Sequence, residues 1–262
     1  MVVRKRFGQH FLHDTGVLDR IVSCVRAKPF DLLIEIGPGQ GALTRRLLAL
    51  NHPLIAIEID RDLVRQLQHE FAASPLTVIE QDVLQVDFER WNTGSSTLRL
   101  IGNLPYNIST PLIFHLLKYR TLIKDMHFML QKEVVDRLAA SPGEKNYGRL
   151  SVMIQCYYSV EPLFTVSPGA FTPPPQVQST VVRLQPLSTP KVPEQAMPAF
   201  SAVVRHAFNQ RRKTLKNSLN TLIPAEAWSL TGIDPKLRPE QLLVEDFARL
   251  SAHYRLPDTH ER

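Results

Sequence analysis

The chain has 262 residues, 44% of them hydrophobic, which is enough for one large core or for a large domain with a small one. Its net charge of +6 favours an anionic partner such as a nucleic acid. The two cysteines, Cys24 and Cys156, lie far apart, which argues against a disulfide scaffold and a zinc site, so we expect no bound metal. Neither a membrane-spanning run nor a secretion signal is visible, so we predict a cytoplasmic protein with no membrane partner.

The first elements are a helix, a strand and a glycine-rich turn. Apolar residues at helical spacing predict a helix from Asp14 to Val25, and Pro29 ends it. The run Leu32–Ile36 predicts a buried strand, followed by a turn at residues 37–41 and a helix to about residue 50. Glycine lets the backbone approach a ligand closely. The spacing Gly-x-Gly-x-Gly differs from that of pyrophosphate-binding dinucleotide sites and is compatible with a nucleoside, although a purely structural turn is the alternative.

Polar residues follow the next three predicted strands. Glu58, in the strand 53–60, lies about 20 residues past the glycine turn, the interval at which an acid meets ribose hydroxyls. Asp82 follows the strand at 76–80 and could accept a bond from an adenine amine. Asn103 ends the fourth strand. Each residue alone could be structural, but the carboxyl ends of parallel strands share one edge, and the combination with Gly37 favours a nucleoside-containing cofactor there.

The segment Asn103-Leu104-Pro105-Tyr106 is suited to methylation of an adenine amine. That nitrogen is a poor nucleophile because its lone pair is delocalised into the ring. Hydrogen bonds from its two N–H groups to the Asn103 side-chain oxygen and the Leu104 carbonyl would localise the lone pair. Pro105 fixes the turn, and Tyr106 offers a flat surface on which a base can stack. An ordinary strand–loop–helix junction is the competing interpretation.

The rest of the chain predicts further helices and strands and a domain boundary. We predict helices at 109–117, 132–138 and 149–158, and strands at 126–130, 160–166 and 177–187. Phe171 heads a stiff loop with Pro173-Pro174-Pro175, where an exposed ring could stack on the second face of a base; the alternative is that it fills the core. The proline-rich stretch 186–193 predicts two domains, 1–188 and 189–262, the second helical.

A basic run lies in the second predicted domain. No acid occurs from Gln195 to Ala225, and this stretch contains a candidate phosphate-contacting surface formed by Arg211, Arg212, Lys213 and Lys216. A solvated helix face is the alternative.

Five segments carry a resemblance to a known family. The sequence resembles the ribosomal RNA adenine dimethyltransferases nearly end to end, and their small-subunit branch most. The segments are Phe7-Gly8-Gln9-His10-Phe11-Leu12, Glu35-Ile36-Gly37-Pro38-Gly39, Asn103-Leu104-Pro105-Tyr106-Asn107-Ile108-Ser109, Phe171-Thr172-Pro173-Pro174-Pro175 and Phe208-Asn209-Gln210-Arg211-Arg212-Lys213-Thr214-Leu215.

The resemblance implies an α/β fold and a cofactor. The fold would be a Rossmann-like, seven-stranded, mostly parallel sheet followed by a small helical domain, and the cofactor would be S-adenosylmethionine. The implied cofactor residues are His10, Leu12, Gly37 and Gly39, with Glu58 at the ribose, Asp82 at the adenine, and Asn103 shared with the target. The implied target-base residues are Asn103, Leu104, Pro105 and Tyr106, with Phe171 as the opposing aromatic.

The resemblance also implies a reaction and a partner. Two adjacent adenines near the 3′ end of small-subunit rRNA would become N6,N6-dimethyladenine, and the partner of the expected monomer would be a maturing small ribosomal subunit. Many relatives have Asn where His10 stands, a departure with little consequence since His is also usual. The alternatives are a ribosome-assembly or transcription-associated nucleic-acid-binding factor in which methylation is incidental, and a methylase of large-subunit rRNA or of DNA.

Overall fold

A computed structural model describes residues 10–94, 97–210 and 212–255. Over those residues the chain forms nine strands: β1 Phe11–Leu12, β2 Asp31–Ile36, β3 Leu54–Glu58, β4 Leu76–Glu80, β5 Thr97–Asn103, β6 Ile123–Gln131, β7 Tyr158–Val166, β8 Phe171–Thr172 and β9 Ser179–Pro186. The α-helices are α1 Thr15–Val25, α2 Ala42–Leu48, α3 Arg61–Glu70, α4 Ser109–Leu116, α5 Lys132–Ala139, α6 Arg149–Gln155, α7 Met197–Asn209, α8 Leu215–Leu219, α9 Ala225–Thr231 and α10 Val244–Ser251.

Seven strands form one sheet in the order β4-β3-β2-β5-β6-β9-β7. The strands from β4 to β6 in that order pair in parallel, and β9 joins β6 antiparallel. The predicted seven-stranded, mostly parallel α/β sheet is therefore confirmed. After β2 the chain runs outward through β3 and β4 and then returns to β5 on the other side of β2. Such a reversal opens a crevice at the carboxyl ends of β2 and β5, where ligands bind in open α/β sheets.

The strands at the centre of the sheet are buried because helices cover a parallel sheet on both faces. In β2, Leu33 and Ile34 are fully buried, and in β3 all five residues are buried. The register sets Glu35 opposite Ala56 and Ile101, and Asn103 opposite Met129. The last residues of β2, β3 and β5 therefore lie along one edge.

The predicted helix at 149–158 is wrong in its last three residues. α6 ends at Gln155, and the chain passes through Cys156 and Tyr157 into β7 at Tyr158. The backbone N–H of Leu187 donates to the carbonyl of Tyr157 at 2.8 Å, and that of Lys191 donates to Cys156 at 3.0 Å. These long-range bonds take the place of continued helical bonds.

The chain divides into two compact units. Of the described residues, those up to Val135 form the first unit together with Val160–Pro186, and Asp136–Ser159 forms the second together with those from Leu187 on. The predicted boundary at 188/189 lies two residues from the break at 186/187. Residues 136–159, which the prediction placed in the first domain, belong to the second unit because α6 packs against α7.

No helix within the described ranges is long and apolar enough to cross a membrane.

Candidate functional site

A cavity of about 340 Å³ lies in the first unit, at the carboxyl edge of the sheet. That volume is in the range of small-molecule sites. Its lining includes ten of the residues predicted from the sequence: His10, Leu12, Gly37, Gly39, Glu58, Asp82, Asn103, Leu104, Pro105 and Tyr106.

The glycine turn forms the floor between β2 and α2. Gly39 has a backbone φ of +57°, a conformation that side-chain-bearing residues rarely adopt. A Cβ added there would lie 3.1 Å from the ring of Phe11, which lines the cavity from the amino-terminal segment. Gly37 also has a positive φ, and its backbone N–H donates to the Ile57 carbonyl at 3.0 Å. The turn therefore brings bare backbone to the cavity wall and ties it to the neighbouring strand.

Glu58 joins the end of β3 to the glycine turn. Its carboxylate accepts from the backbone N–H groups of Ile59 and Asp60, both at 2.9 Å, and from Gly39 at 3.2 Å. Burial raises the pKa of Glu58, and those three hydrogen bonds act in the opposite direction. The carboxylate is thereby held in one orientation at the cavity.

Glu35 is a cavity residue that sequence reasoning missed. Its side chain is 1% exposed, and its Oε2 accepts from the Thr44 hydroxyl at 2.6 Å. Burial, together with the neighbouring Glu58 carboxylate, raises the pKa of Glu35 to about 8, although the hydrogen bond from Thr44 acts in the opposite direction. The available signal was a single acid inside the apolar run Leu32–Ile36. Because a buried acid of this kind favours a cationic neighbour, Glu35 suits a ligand ammonium group.

Asp82 presents a third carboxylate. Its Oδ1 caps a short 3-10 turn by accepting from the Leu84 backbone N–H at 3.0 Å, while the residue lines the cavity. The cavity wall therefore offers three acceptors: a buried acid, an acid at the end of β3, and an aspartate among apolar residues such as Ile57 and Val83. A ligand with an ammonium group, vicinal hydroxyls and an aminated aromatic ring matches this wall, so the residues fit S-adenosylmethionine.

Asn103 has a fixed amide at the end of β5. Its Nδ2 donates to the backbone carbonyl of His10 at 2.9 Å, which commits the nitrogen and leaves Oδ1 as the remaining acceptor of a half-buried side chain. The Leu104 backbone N–H donates to Met129 at 3.2 Å, and Pro105 accepts from the Ile108 N–H at 3.2 Å. The loop after β5 is therefore a tight, bonded turn.

Tyr106 lies beside the amide. Its ring centroid is 5.7 Å from that of His10, with the planes tilted by 30°, and its hydroxyl lies 3.3 Å from the Oγ of buried Ser179. The His10 ring in turn bonds the Pro173 carbonyl through Nδ1 at 2.8 Å. His10 thus connects the loop after β5 to the proline-rich segment, which the sequence did not indicate.

The prediction that Phe171 presents an exposed ring is wrong. The side chain is 3% exposed and packs in the core cluster with Leu12, Leu43 and Ile101, and it is not among the cavity-lining residues. The reason is the pairing of β8 with β1, which sets Phe171 opposite Leu12. The competing interpretation, a ring that fills the core, is the one the structure shows.

The basic residues lie in the second unit. Arg212 and Lys213 are exposed between α7 and α8, and Lys216 is exposed on α8. Arg211 lies outside the described residues. The exposure of these three cations agrees with both interpretations offered above.

Comparison with known proteins gives the family. The family model "Ribosomal RNA adenine dimethylase" matches residues 2–255. The "Ribosomal RNA small subunit methyltransferase A" of Pseudomonas syringae pv. tomato is 54% identical, covering 95% of this chain and 93% of its own. A "dimethyladenosine transferase" from Plasmodium falciparum has a similar structure, with a TM-score of 0.81, 27% identity and coverage of 94% of this chain and 99% of its own. The "23S rRNA methyltransferase ErmE" shares the fold, with a TM-score of 0.74 at 23% identity, covering 93% of this chain and 98% of its own. With a family match across nearly its whole length and relatives identical at more than half of the aligned positions, the chain belongs to the ribosomal RNA adenine dimethylase family.

Proposed function

We propose that this protein transfers methyl groups from S-adenosylmethionine to the N6 amines of two adjacent adenines near the 3′ end of small-subunit rRNA, during small-subunit maturation in the cytoplasm. The product is N6,N6-dimethyladenine. The observation that carries the proposal is the orientation of Asn103, whose amide nitrogen is committed to the His10 carbonyl while its oxygen stays available at the cavity.

The loop after β5 would prepare the target amine. The Asn103 oxygen and the Leu104 carbonyl would accept hydrogen bonds from the two N–H groups of the amine. The nitrogen then becomes pyramidal and its lone pair localised. Tyr106 supplies a surface on which the adenine stacks, and Pro105 fixes the turn. Positioning and electrostatics then account for most of the rate, since methyl transfer creates no oxyanion that needs a hole.

The remaining cavity residues would hold the cofactor, which supplies an electrophilic methyl group on a sulfonium. Gly37 and Gly39 bring the backbone close to its amino-acid part, with Glu35 as a counter-charge for the ammonium group. Glu58 bonds ribose hydroxyls and Asp82 the adenine amine. His10 and Leu12 close the cavity from the amino-terminal segment.

Exposed cations of the second unit would contact phosphates of the substrate. Arg212, Lys213 and Lys216 have the exposure this requires, and Arg211 precedes them in the chain. Replacing Arg211 and Arg212 by alanine is expected to weaken binding to small subunits and to reduce the dependence of the affinity on salt. An unchanged salt slope would assign both arginines to a solvated face. Action as a monomer stays a prediction.

The name of the 54%-identical relative favours the small subunit over the large one. The test uses separated small and large subunits from cells that lack the modification, labelled S-adenosylmethionine, and nucleoside mass spectrometry. We expect dimethyladenosine in the small subunit only. Label in the large subunit, or binding without any methylation, would overturn the proposal.

A further inference from the structure

The loop between α1 and β2 carries an exposed aromatic ring. Phe30 is 82% exposed, more than any other large hydrophobic residue in the described part of the chain. Its backbone φ is +73°, and Arg26 at the start of the same loop has a φ of +48°. A bulky residue in the left-handed region is a genuine outlier, and such outliers concentrate at binding and switch sites. Phe30 contributes little to the core, so its stacking surface is available to a partner.

The same loop is cationic. Arg26 and Lys28 are exposed, and the carboxylate bonded to the loop, Asp31, is only 3% exposed. Asp31 is already paired, with Arg99 at 2.7 Å and with Lys124 at 3.1 Å. These pairings neutralise the Asp31 carboxylate, which therefore does not offset the positive charges of Arg26 and Lys28. Lys124, whose side chain is one-third exposed, takes part in that pairing with Asp31, so the exposed cations of the loop are Arg26 and Lys28.

Hydrogen bonds hold the loop at its base. The Asp31 carboxylate accepts from the Lys28 backbone N–H at 2.7 Å, and the Asp31 N–H donates to the Lys28 carbonyl at 3.0 Å. Because Asp31 is itself fixed by the buried Arg99, the ring and its flanking charges are presented in one arrangement. A surface ordered before binding avoids part of the entropic cost of association.

We propose that this aromatic–cationic patch, formed by Arg26, Lys28 and Phe30, binds RNA of the substrate subunit. Phe30 stacks on an unpaired base, and the cations contact the flanking phosphates. Exposed aromatic rings set among cations are the composition of single-stranded RNA sites. The inference rests on the proposed function, because it assigns a second contact with the same substrate.

The RNA bound here is a different segment from the target adenines. The patch lies at the amino end of β2, and the cavity lies past the carboxyl end of the same strand. Six residues of β-strand span about 20 Å. A contact at that distance affects affinity for the subunit and leaves the chemical step unchanged.

The test compares Phe30→Gly and Phe30→Tyr in binding to unmethylated small ribosomal subunits. Glycine adopts a positive φ without strain, so the first variant removes the ring and is expected to fold at least as well as the original. We expect its Kd to rise about tenfold, with kcat at saturating subunit unchanged, and Phe30→Tyr to bind like the original. Leu230→Ala, which replaces an exposed apolar side chain of α9 with a residue that favours helix, is the control and is expected to leave the Kd unchanged. An unchanged Kd for Phe30→Gly would overturn the proposal.

The cations and the identity of the partner are tested separately. Arg26→Gln combined with Lys28→Gln is expected to reduce the salt slope of the affinity by about 2. A photoreactive phenylalanine analogue at position 30, irradiated on the subunit, is expected to cross-link to rRNA; cross-linking to a ribosomal protein, or to nothing, would overturn the assignment to RNA. If the original protein methylates small subunits while Phe30→Gly binds normally, the patch alone is refuted. If the original protein neither binds nor methylates them, the proposed function itself fails.

Discussion

At the carboxyl edge of the large sheet, Glu35 and Asn103 border a cavity of about 340 Å³, whereas at its amino edge Asp31 and Arg99 bond each other. Both edges carry polar side chains. What differs is how much of their bonding capacity is used. The side-chain nitrogen of Asn103 donates to the His10 carbonyl, and its side-chain oxygen stays available at the cavity. Arg99 bonds Asp31, Asp125 and the Val25 carbonyl, all within the protein.

The comparison shows why polar residues at strand ends do not by themselves identify a site. At the amino edge, burial alone would raise the pKa of Asp31, but bonds from the Lys28 N–H, Thr97 and Lys124, with the Arg99 charge, lower it to about 2. At the carboxyl edge, burial and the Glu58 carboxylate raise the pKa of Glu35 to about 8, and the Thr44 hydroxyl, its hydrogen-bond donor, offsets only part of that rise. A buried acid that lacks a counter-charge beside a cavity indicates a ligand, and an acid with several partners indicates structure.

The largest expected effect is on stability and comes from the amino edge. Arg99→Met leaves Asp31 and Asp125 buried without their guanidinium partner, so the free energy of unfolding is expected to fall by about 3–5 kcal/mol. Denaturant unfolding measures it. Arg61→Met removes an exposed ion pair with Glu80 and is the matched control, with an expected loss below about 1 kcal/mol. Equal losses in the two variants would mean that the buried network is not the stabilising element.

The next effect belongs to the cavity edge and concerns activity. Asn103→Ala removes an acceptor for the target amine, and kcat is expected to fall about 100-fold to 1000-fold, the range found when a group that stabilises the transition state is deleted. Cofactor affinity, measured by calorimetry, should weaken less. The control is Asn92→Ala at an exposed position, with no expected change in kcat. Undiminished methylation by Asn103→Ala would remove the role given to this residue.

The pH dependence of stability probes the amino edge again. Burial, together with the charges of Arg99 and Arg183, lowers the pKa of His127 to about 4, although Asp125 lies 3.6 Å from its Nδ1. Between pH 6.5 and 4, His127 binds a proton in the unfolded chain but not in the folded protein. The free energy of unfolding therefore falls as the pH falls. The loss over that window is expected to be about 3 kcal/mol.

Denaturant unfolding at pH 7 and pH 4.5 tests this expectation by comparing the original protein with His127→Leu, in which the acid-dependent loss should be smaller by about 2–3 kcal/mol. His69→Gln, at an exposed position, should leave the pH dependence as it is. A His127→Leu curve parallel to the original would show that another group controls acid unfolding.

The cavity edge was largely predictable from sequence, and the amino edge was not. Apolar runs place strands, and parallel pairing then forces Gly37, Glu58, Asp82 and Asn103 to one edge. The bond between Arg99 and Asp31 joins residues 68 positions apart, and no local pattern encodes such a pairing.

The prediction of an exposed Phe171 ring was wrong for the same reason. Its burial follows from the pairing of β8 with β1, across about 160 residues of chain, while the neighbouring prolines suggested an exposed loop. The contacts of His10 with Asn103 and Pro173 also span more than 90 residues. Local chemistry therefore predicted which residues form the site, and long-range pairing decided how each side chain is oriented.

The smallest expected effect concerns the Tyr106 hydroxyl at the cavity edge, and it tests whether this group is used by a bond within the protein or is available to the substrate. The Tyr106 hydroxyl has a partner, Ser179, so Tyr106→Phe keeps the stacking surface and loses only a hydrogen bond that holds the ring. A bond of this kind contributes about 1 kcal/mol, so kcat/KM for the small subunit is expected to fall about fivefold. Ser179→Ala should cause the same loss, and the double variant no more than either single one, because all three remove one interaction. Ser188→Ala, at an exposed position, serves as the control. Additive losses would show that the two hydroxyls act separately. The Tyr106 hydroxyl would then be, like the Asn103 oxygen, a hydrogen-bonding group that is available to the substrate.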